Sequence, residues 1–166
     1  MVSIPTSKKE LINALWKNRL STSALLWAKL PLAAFAGLRV TRLDPTGADV
    51  LLPAGWKTQN PFRSTYFAAQ AMAAEMSTGA PALLFIEESS ARISSLVTGL
   101  HAKFTKKATR PATFTFDGGA AMRAAIGKAA ETGEGVPFTA HSVGRMPDGT
   151  IVAEFDIEWS FKRKSQ

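Results

Sequence analysis

The sequence predicts an α+β fold in which an antiparallel sheet wraps around one buried helix. Residues 64–79 are rich in Ala and Met and contain a single charged residue, Glu75. A helix that is apolar on nearly all sides has protein packed around it. Strand-like segments dominate the rest of the chain from residue 36 onward. Tight-turn sequences at 44–47 and 147–149 join pairs of these segments, which indicates hairpins and antiparallel pairing.

Residues 1–35 are predicted to form a helical extension, because apolar residues recur there at three- and four-residue spacing. The Ser-Thr-Ser sequence at 21–23 offers a new amino-terminal cap and predicts a break between two helices. Pro31 either ends the second helix or kinks it. We expect the pair to pack outside the sheet. The alternative, a membrane-surface anchor, is disfavoured because Glu10 and Asn13 lie among the lysines without a broad basic face.

Residues 36–166 are predicted to form the α+β domain itself. The expected helices span 60–79 and 120–131. The expected strands span 36–43, 48–53, 82–87, 93–106, 113–117, 136–146 and 150–161. Ser64 or Thr65 is expected to cap the central helix, and Gly79 with Pro81 close behind it is expected to end the helix.

Periodicity assigns faces to the central helix and to the long strand. On the helix, Glu75 lies nearly opposite Tyr66 and Gln70, so these groups cannot easily serve one site in a single subunit. Tyr66 and Gln70 share a face and could line a pocket, or Gln70 could be a satisfied structural group. On strand 93–106, alternation predicts one shared face for Leu96, Thr98, Leu100, Ala102 and Phe104.

Composition restricts the partners. The formal net charge of +7 favours polyanions, which include nucleic acid, membrane headgroups and the phosphates of a ligand such as coenzyme A. Nucleic acid is disfavoured because aromatic residues are not interleaved with the lysines on one strand face. The absence of cysteine excludes disulfides and thiol chemistry. No apolar run is long enough for a membrane span, and no leader sequence is recognisable, so a cytoplasmic protein is expected.

Metal and nucleotide chemistry are not expected from the motifs. His101 and His141 have no carboxylate at metal-ligand spacing, so we predict no metal site. The glycine pair at 118–119 stands alone and does not form a phosphate-binding loop. We therefore predict no cofactor. Arg63, next to the helix start, is either a phosphate ligand or a surface arginine.

The segment 60–79 and its surroundings, roughly residues 36–162, resemble the hotdog-fold superfamily, in which a curved antiparallel sheet wraps one long helix. In its acyl-CoA thioesterase branch similar to phenylacetate-pathway thioesterases, an Asn precedes the helix, His-Gly-Gly opens it, and an acid follows nine residues after the His. Asn60 occupies the Asn position and Glu75 the acid position, whereas Tyr-Phe-Ala at 66–68 replaces His-Gly-Gly. The stretch is most similar to an uncharacterised, thioesterase-like branch. The Asp and His pair of the hydratase branch does not occur.

The resemblance implies a site and an assembly. Glu75 and Asn60 would be catalytic, with an amide near Tyr66 or Phe67 as the oxyanion donor. The implied substrate-binding residues are Arg63, Tyr66, Phe67 and Gln70. The implied ligand is an acyl-CoA or a related acyl ligand such as an acyl-carrier protein. A homodimer would place Glu75 of one chain against loop residues of the other.

Two alternatives stay open at this point. Glu75 could instead pair with Arg92 or Arg123, or reach solvent at a subunit boundary, in which case its role is structural. The protein would then be a non-catalytic hotdog module that binds a fatty acyl or aromatic ligand.

Overall fold

The computed structural model describes residues 19–165, which form four helices and one six-stranded sheet. The helices are α1 (Arg19–Lys29), α2 (Pro31–Ala36), α3 (Phe67–Glu88) and α4 (Gly119–Thr132). The strands are β1 (Arg39–Asp44), β2 (Gly47–Leu52), β3 (Ile93–Phe104), β4 (Ala112–Phe116), β5 (Val136–Arg145) and β6 (Ile151–Arg163). The predicted α+β class is confirmed.

The sheet is antiparallel throughout, with the strand order β1-β2-β4-β5-β6-β3. It curves around α3, and the core lies between them. Both hairpins that the turn sequences predict, β1 with β2 and β5 with β6, are confirmed. The buried residues that α3 and the sheet bring into this core include Ala69, Ala73, Met76 and Phe85 from α3, and Val50, Phe114, Phe155 and Ile157 from the sheet.

Helix α3 starts later and ends later than the sequence predicts. Its N-cap is Tyr66, not Ser64 or Thr65, and no side chain caps it. The helix continues through Gly79 and Pro81 to Glu88, so the predicted strand at 82–87 is wrong. Proline inside a helix removes a hydrogen bond and costs about 3 kcal/mol.

Tertiary packing explains why the helix continues. Pro81, Leu84 and Phe85 are all buried, and burying such side chains offsets the cost of the proline. Gly79 allows the side chains of Glu75 and Trp159 to lie close to the helix backbone. A Cβ at this position would lie 3.0 Å from Oε1 of Glu75 and 3.6 Å from ring carbon Cη2 of Trp159.

The amino-terminal helices also differ from the prediction. Helix α1 runs without a break through residues 21–23. The predicted break is therefore wrong, since the helix continues through the candidate cap. Pro31 begins α2, where its missing N–H is harmless, and Gly37 ends that helix in the left-handed region (φ 79°). The first predicted helix lies largely outside the described residues.

Strand β3 contains a β-bulge that changes its faces. The register shifts between Val97 and Gly99, so Leu96 pairs with Ser160 whereas Leu100 pairs with the buried Ile157. The expectation that Leu96 shares a face with Leu100 is wrong, because the extra residue reverses the alternation. The bulge leaves Leu100 facing the side of the sheet that carries α3.

Candidate functional site

An open groove of about 580 Å³ lies beside the first turn of α3. The loop before the helix, the end of β3 and the segment after β3 form its walls. Four predicted site residues line it: Asn60, Tyr66, Phe67 and Gln70. Arg63 and Glu75 are not among the lining residues.

Asn60 organises the loop that leads into α3. Its Oδ1 accepts hydrogen bonds from the N–H of Phe62 (2.9 Å), the N–H of Ser64 (3.2 Å) and the Ser64 hydroxyl (3.2 Å). The Asn60 N–H donates to the Ser64 carbonyl at 2.8 Å, and Arg63 between them adopts a positive φ of 57°. Because the side-chain oxygen is committed to the loop, Asn60 can offer a ligand only its NH₂ group.

The first turn of α3 presents two free amide donors. The N–H groups of Ala69 and Gln70 donate to the Tyr66 carbonyl at 3.0 and 3.2 Å. Among the described residues, no acceptor bonds the N–H of Phe67 or of Ala68. These amides lie at the positive end of the helix dipole, where they favour an anion or a developing oxyanion.

Gln70 is buried, and only one end of its side-chain amide forms a hydrogen bond. Its side chain is 5% exposed, and its Nε2 donates to the Thr65 carbonyl at 3.2 Å. Its Oε1 is buried and has no hydrogen-bond partner among residues 19–165. Native proteins rarely leave such a group unpaired, so the bare acceptor marks a position where a partner is missing.

Aromatic side chains form the apolar wall of the groove. The ring centroids of Tyr66 and Phe67 are 4.8 Å apart, and those of Phe67 and Phe104 are 6.3 Å apart. All three rings are about half exposed, although Phe104 contacts the core through Phe155. Such a wall can hold an acyl or aromatic group. Lys106 and Lys107, both exposed, complete the lining with positive charge.

Glu75 lies two turns farther along α3, about 12 Å from Phe67 along the helix axis. Burial raises the pKa of its carboxyl above the usual value. No residue in the described part of the chain forms an ion pair or hydrogen bond with this carboxylate. Arg123, one of the two partners considered from the sequence, pairs instead with Glu88 at 2.8 Å. A carboxylate of this kind is a stronger base than an exposed one.

The histidines lie away from the groove, on the outer face of the sheet. His141 Nδ1 lies 2.7 Å from Asp156 Oδ1, and His101 is the cross-strand neighbour of Asp156 on the other side. Within the described residues, no group of three or more His, Asp or Glu side chains could hold a metal ion. Across residues 19–165, no helix is both long and apolar enough to cross a membrane.

Nine lining residues were not predicted as site residues, and they include Phe104, Lys106 and Lys107. The sequence shows these three only as the end of a strand and as a basic cluster. Their approach to α3 depends on the packing of β3 and of the segment that follows it. Thr65, just before α3, fixes that segment because its N–H donates to the Ala108 carbonyl at 2.8 Å.

Comparison with known proteins gives a sequence match over most of the chain. The profile of a domain of unknown function, DUF4442, matches residues 18–161. No curated protein matches the sequence.

Similar solved structures include three from bacteria. A Pseudomonas aeruginosa protein of unknown function, described as a probable thioesterase, has 19% identity and a TM-score of 0.67, with 97% of both chains covered. A Haemophilus influenzae thioesterase has 9% identity and a TM-score of 0.60, with 88% of this chain and 91% of that chain covered. The Escherichia coli PaaI protein from the phenylacetic acid degradation operon has 12% identity and a TM-score of 0.57, with 93% and 96% covered. The hotdog fold implied by the sequence resemblance is confirmed.

Proposed function

This chain belongs to the family of the domain of unknown function DUF4442, and from its hotdog fold and its site we propose that it hydrolyses acyl thioesters. The thiol would be coenzyme A or an acyl-carrier protein. One observation carries the proposal: Glu75 is a desolvated carboxylate on the central helix without a partner in the described chain. An unpaired, partly buried charge costs stability, which supports a chemical role for this carboxylate.

In the proposed reaction, Glu75 either removes a proton from the attacking water or attacks the thioester carbonyl itself. The carbonyl oxygen becomes an oxyanion, which the N–H groups of Phe67 and Ala68 stabilise. The NH₂ group of Asn60 holds the carbonyl or the water. In the general-base route, the C–S bond then breaks and the thiolate leaves with the proton that the carboxylate took from water, giving a free acid and a free thiol. In the nucleophilic route, the C–S bond breaks to leave an anhydride between the acyl group and Glu75; water then hydrolyses this anhydride, which frees the acid, restores the carboxylate and supplies the proton of the thiol.

Two copies of the chain are needed to assemble this site. Within one chain, Glu75 and the free amides are too far apart to act on one carbonyl, at about 12 Å along the axis. Among the strands of residues 19–165, β3 is an edge strand of twelve residues, and Leu100 and Phe104 on its inner face are 50% and 48% exposed. An exposed apolar edge favours a partner. We propose a homodimer in which Glu75 of one copy meets the groove of the other.

The basic residues near the groove support a phosphate-bearing thiol. Lys106 and Lys107 line it and are exposed, and Arg63 lies in the loop that Asn60 holds. A coenzyme A or phosphopantetheine group would place its phosphates against these cations while the acyl group contacts the aromatic wall.

A non-catalytic acyl-binding module is the second candidate. The observation that favours it is that Phe67 and Ala68, at the free amides, replace the two glycines of the thioesterase branch that the sequence resembles. The side chain of Phe67 is 56% exposed beside those amides and narrows the approach of a carbonyl. In this case Glu75 would bind a ligand without reacting.

Thiol release from short, long and aromatic acyl-CoAs tests the proposal. Glu75→Gln is expected to lower kcat by about 10²- to 10⁴-fold, because it removes the base. Glu131→Gln, an exposed glutamate on α4, is the matched control and is expected to keep full activity. Equal hydrolysis by Glu75→Gln and wild type would refute the role of Glu75. A ligand-induced melting shift without hydrolysis would establish the binding module instead.

Light scattering after size exclusion tests the shared site. Leu100→Glu, which places a charge on the inner face of β3, is expected to give a folded monomer without activity. Leu96→Glu changes the opposite face of the same strand and is expected to remain dimeric. A fully active Leu100→Glu monomer would contradict a site built from two copies.

A further inference from the structure

We infer that Gln70 selects ligands that bring an N–H or O–H donor to its Oε1. The inference deepens the proposed function and rests on the same groove. Gln70 lines that groove, its side chain is 95% buried, and its Oε1 is the buried side-chain atom without a partner in the described part of the chain. A ligand donor would complete the hydrogen bonding of this amide.

The orientation of the Gln70 amide is fixed by the backbone. Its Nε2 donates to the carbonyl of Thr65 at 3.2 Å. The Thr65 segment is itself held, because the Thr65 N–H donates to the Ala108 carbonyl at 2.8 Å. Turning the amide over would place Oε1 against the Thr65 carbonyl, where two acceptors repel each other. Gln70 therefore presents an acceptor, not a donor.

The polar groups nearest in sequence do not supply the missing donor. The Ser64 hydroxyl bonds Asn60 at 3.2 Å, and the Gln70 N–H is used within the first turn of α3. Because Gln70 lines the groove, a ligand bound there is the donor that the inference assigns to this atom. The aromatic wall formed by Tyr66, Phe67 and Phe104 orients a ligand by apolar contact only, so Gln70 supplies the directional contact on this side.

Two parts of an acyl thioester could carry the donor. A hydroxyl on the acyl group would supply an O–H. The amides of a pantetheine arm would supply an N–H. Both satisfy the same buried acceptor, and a ligand that lacks the donor leaves Oε1 desolvated and unpaired. Such a loss corresponds to roughly 10- to 100-fold in affinity.

Matched ligand pairs, measured on the whole 166-residue chain, test the inference. The first pair is octanoyl-CoA and hydroxyoctanoyl-CoA. The second is the octanoyl thioester of N-acetylcysteamine and the same thioester with its amide N-methylated, which removes only the N–H. Dissociation constants are measured by calorimetry, and kcat/KM wherever turnover occurs. Wild type is expected to prefer the donor-bearing member about 10- to 100-fold in at least one pair, and that pair identifies the source of the donor.

The variant Gln70→Met keeps the size of the side chain and removes its acceptor. It is expected to bind both members of the pair with equal affinity. Gln59→Met, at an exposed glutamine in the neighbouring loop, is the matched control and is expected to keep the wild-type preference. A preference that survives in Gln70→Met would overturn the inference.

The wild-type measurements decide the question even if Gln70→Met fails to fold. Equal affinity for both members of both pairs in wild type would also overturn the inference. Because binding is measured independently of turnover, a donor preference without hydrolysis would support Gln70 as a selector while rejecting the thioesterase reaction.

Discussion

Charged groups are paired at the turn between β1 and β2, whereas several polar groups on the central helix have no partner. At the turn, Arg42 pairs with Asp49 at 2.9 Å and with Asp117 at 2.6 Å, and it also reaches Asp44 at 3.3 Å. Hydrogen bonds from Thr46 hold the pKa of Asp44 down at about 2, and contacts with Arg42 assist. Every charge in this cluster has a partner.

The central helix instead leaves polar groups without partners. The N–H groups of Phe67 and Ala68, the Oε1 of Gln70 and the carboxylate of Glu75 have none in the described chain. Burial raises the pKa of Glu75, whereas hydrogen bonding lowers that of Asp44. The difference separates groups that stabilise the fold from groups that remain available for a ligand.

The largest loss of stability is expected at Gly47, in the turn between β1 and β2, where the structure leaves no room for a side chain. A Cβ on Gly47 would lie 1.8 Å from the Phe116 carbonyl oxygen. Gly47→Ala should therefore lower the free energy of unfolding by about 3 kcal/mol, seen in urea denaturation. Gly55→Ala is the control, since Gly55 has almost the same φ (159° against 155°) but no atom within 4 Å. If both variants lost the same free energy of unfolding, backbone strain and not the contact with Phe116 would be the cause.

A smaller effect is expected from neutralising Asp44. Its folded-state pKa of about 2 lies below its usual 3.8, so its charge stabilises the fold above pH 4. Asp44→Asn should be less stable than wild type at pH 7, and the difference should shrink as the pH falls from about 4 to about 2. Chemical denaturation at several pH values measures this. A difference that does not change over that range would rule out the Asp44 charge as its source.

The smallest effect on stability, with the opposite sign, is expected from neutralising Glu75. Its raised pKa means that the unfolded chain ionises more readily than the folded one, so the fold loses stability as the pH rises through the usual carboxyl range. Glu75→Gln should therefore be more stable than wild type at pH 7, and the gain should vanish below about pH 4. Thermal unfolding with Glu131→Gln as control measures it. A less stable Glu75→Gln at pH 7 would show that the carboxylate is paired.

Much of the fold could be predicted because its signals are local. The turn sequence at 44–47 specifies its own hairpin through proline and glycine, and the same holds at 147–149. The passage of α3 through Gly79 and Pro81 could not be predicted, because it depends on burial of Leu84 and Phe85 in a core assembled from distant strands. The bulge that places Leu96 on the opposite face from Leu100 could not be predicted either, because a register shift depends on how two strands pair.

Part of the candidate site could be predicted for a similar reason. Asn60, Tyr66, Phe67 and Gln70 lie within one loop and one helical turn, so their proximity follows from the chain itself. The contribution of Phe104 and the lysines after it depends on packing between elements far apart in sequence. The resemblance to hotdog thioesterases identified Glu75, but its lack of a cation is visible only in the structure.

Trp159 is a fluorescent probe of the region around Glu75. The indole is 6% exposed, its Nε1 donates to Thr78 at 3.1 Å, and its ring lies across Gly79 from the carboxylate of Glu75. Trp27 and Trp56 are 56% and 72% exposed, so their emission is that of a water-exposed indole. Among the tryptophans within residues 19–165, Trp159 is therefore the one shielded from water, and a change in the charge of the Glu75 carboxyl is expected to alter the wavelength and intensity of its fluorescence.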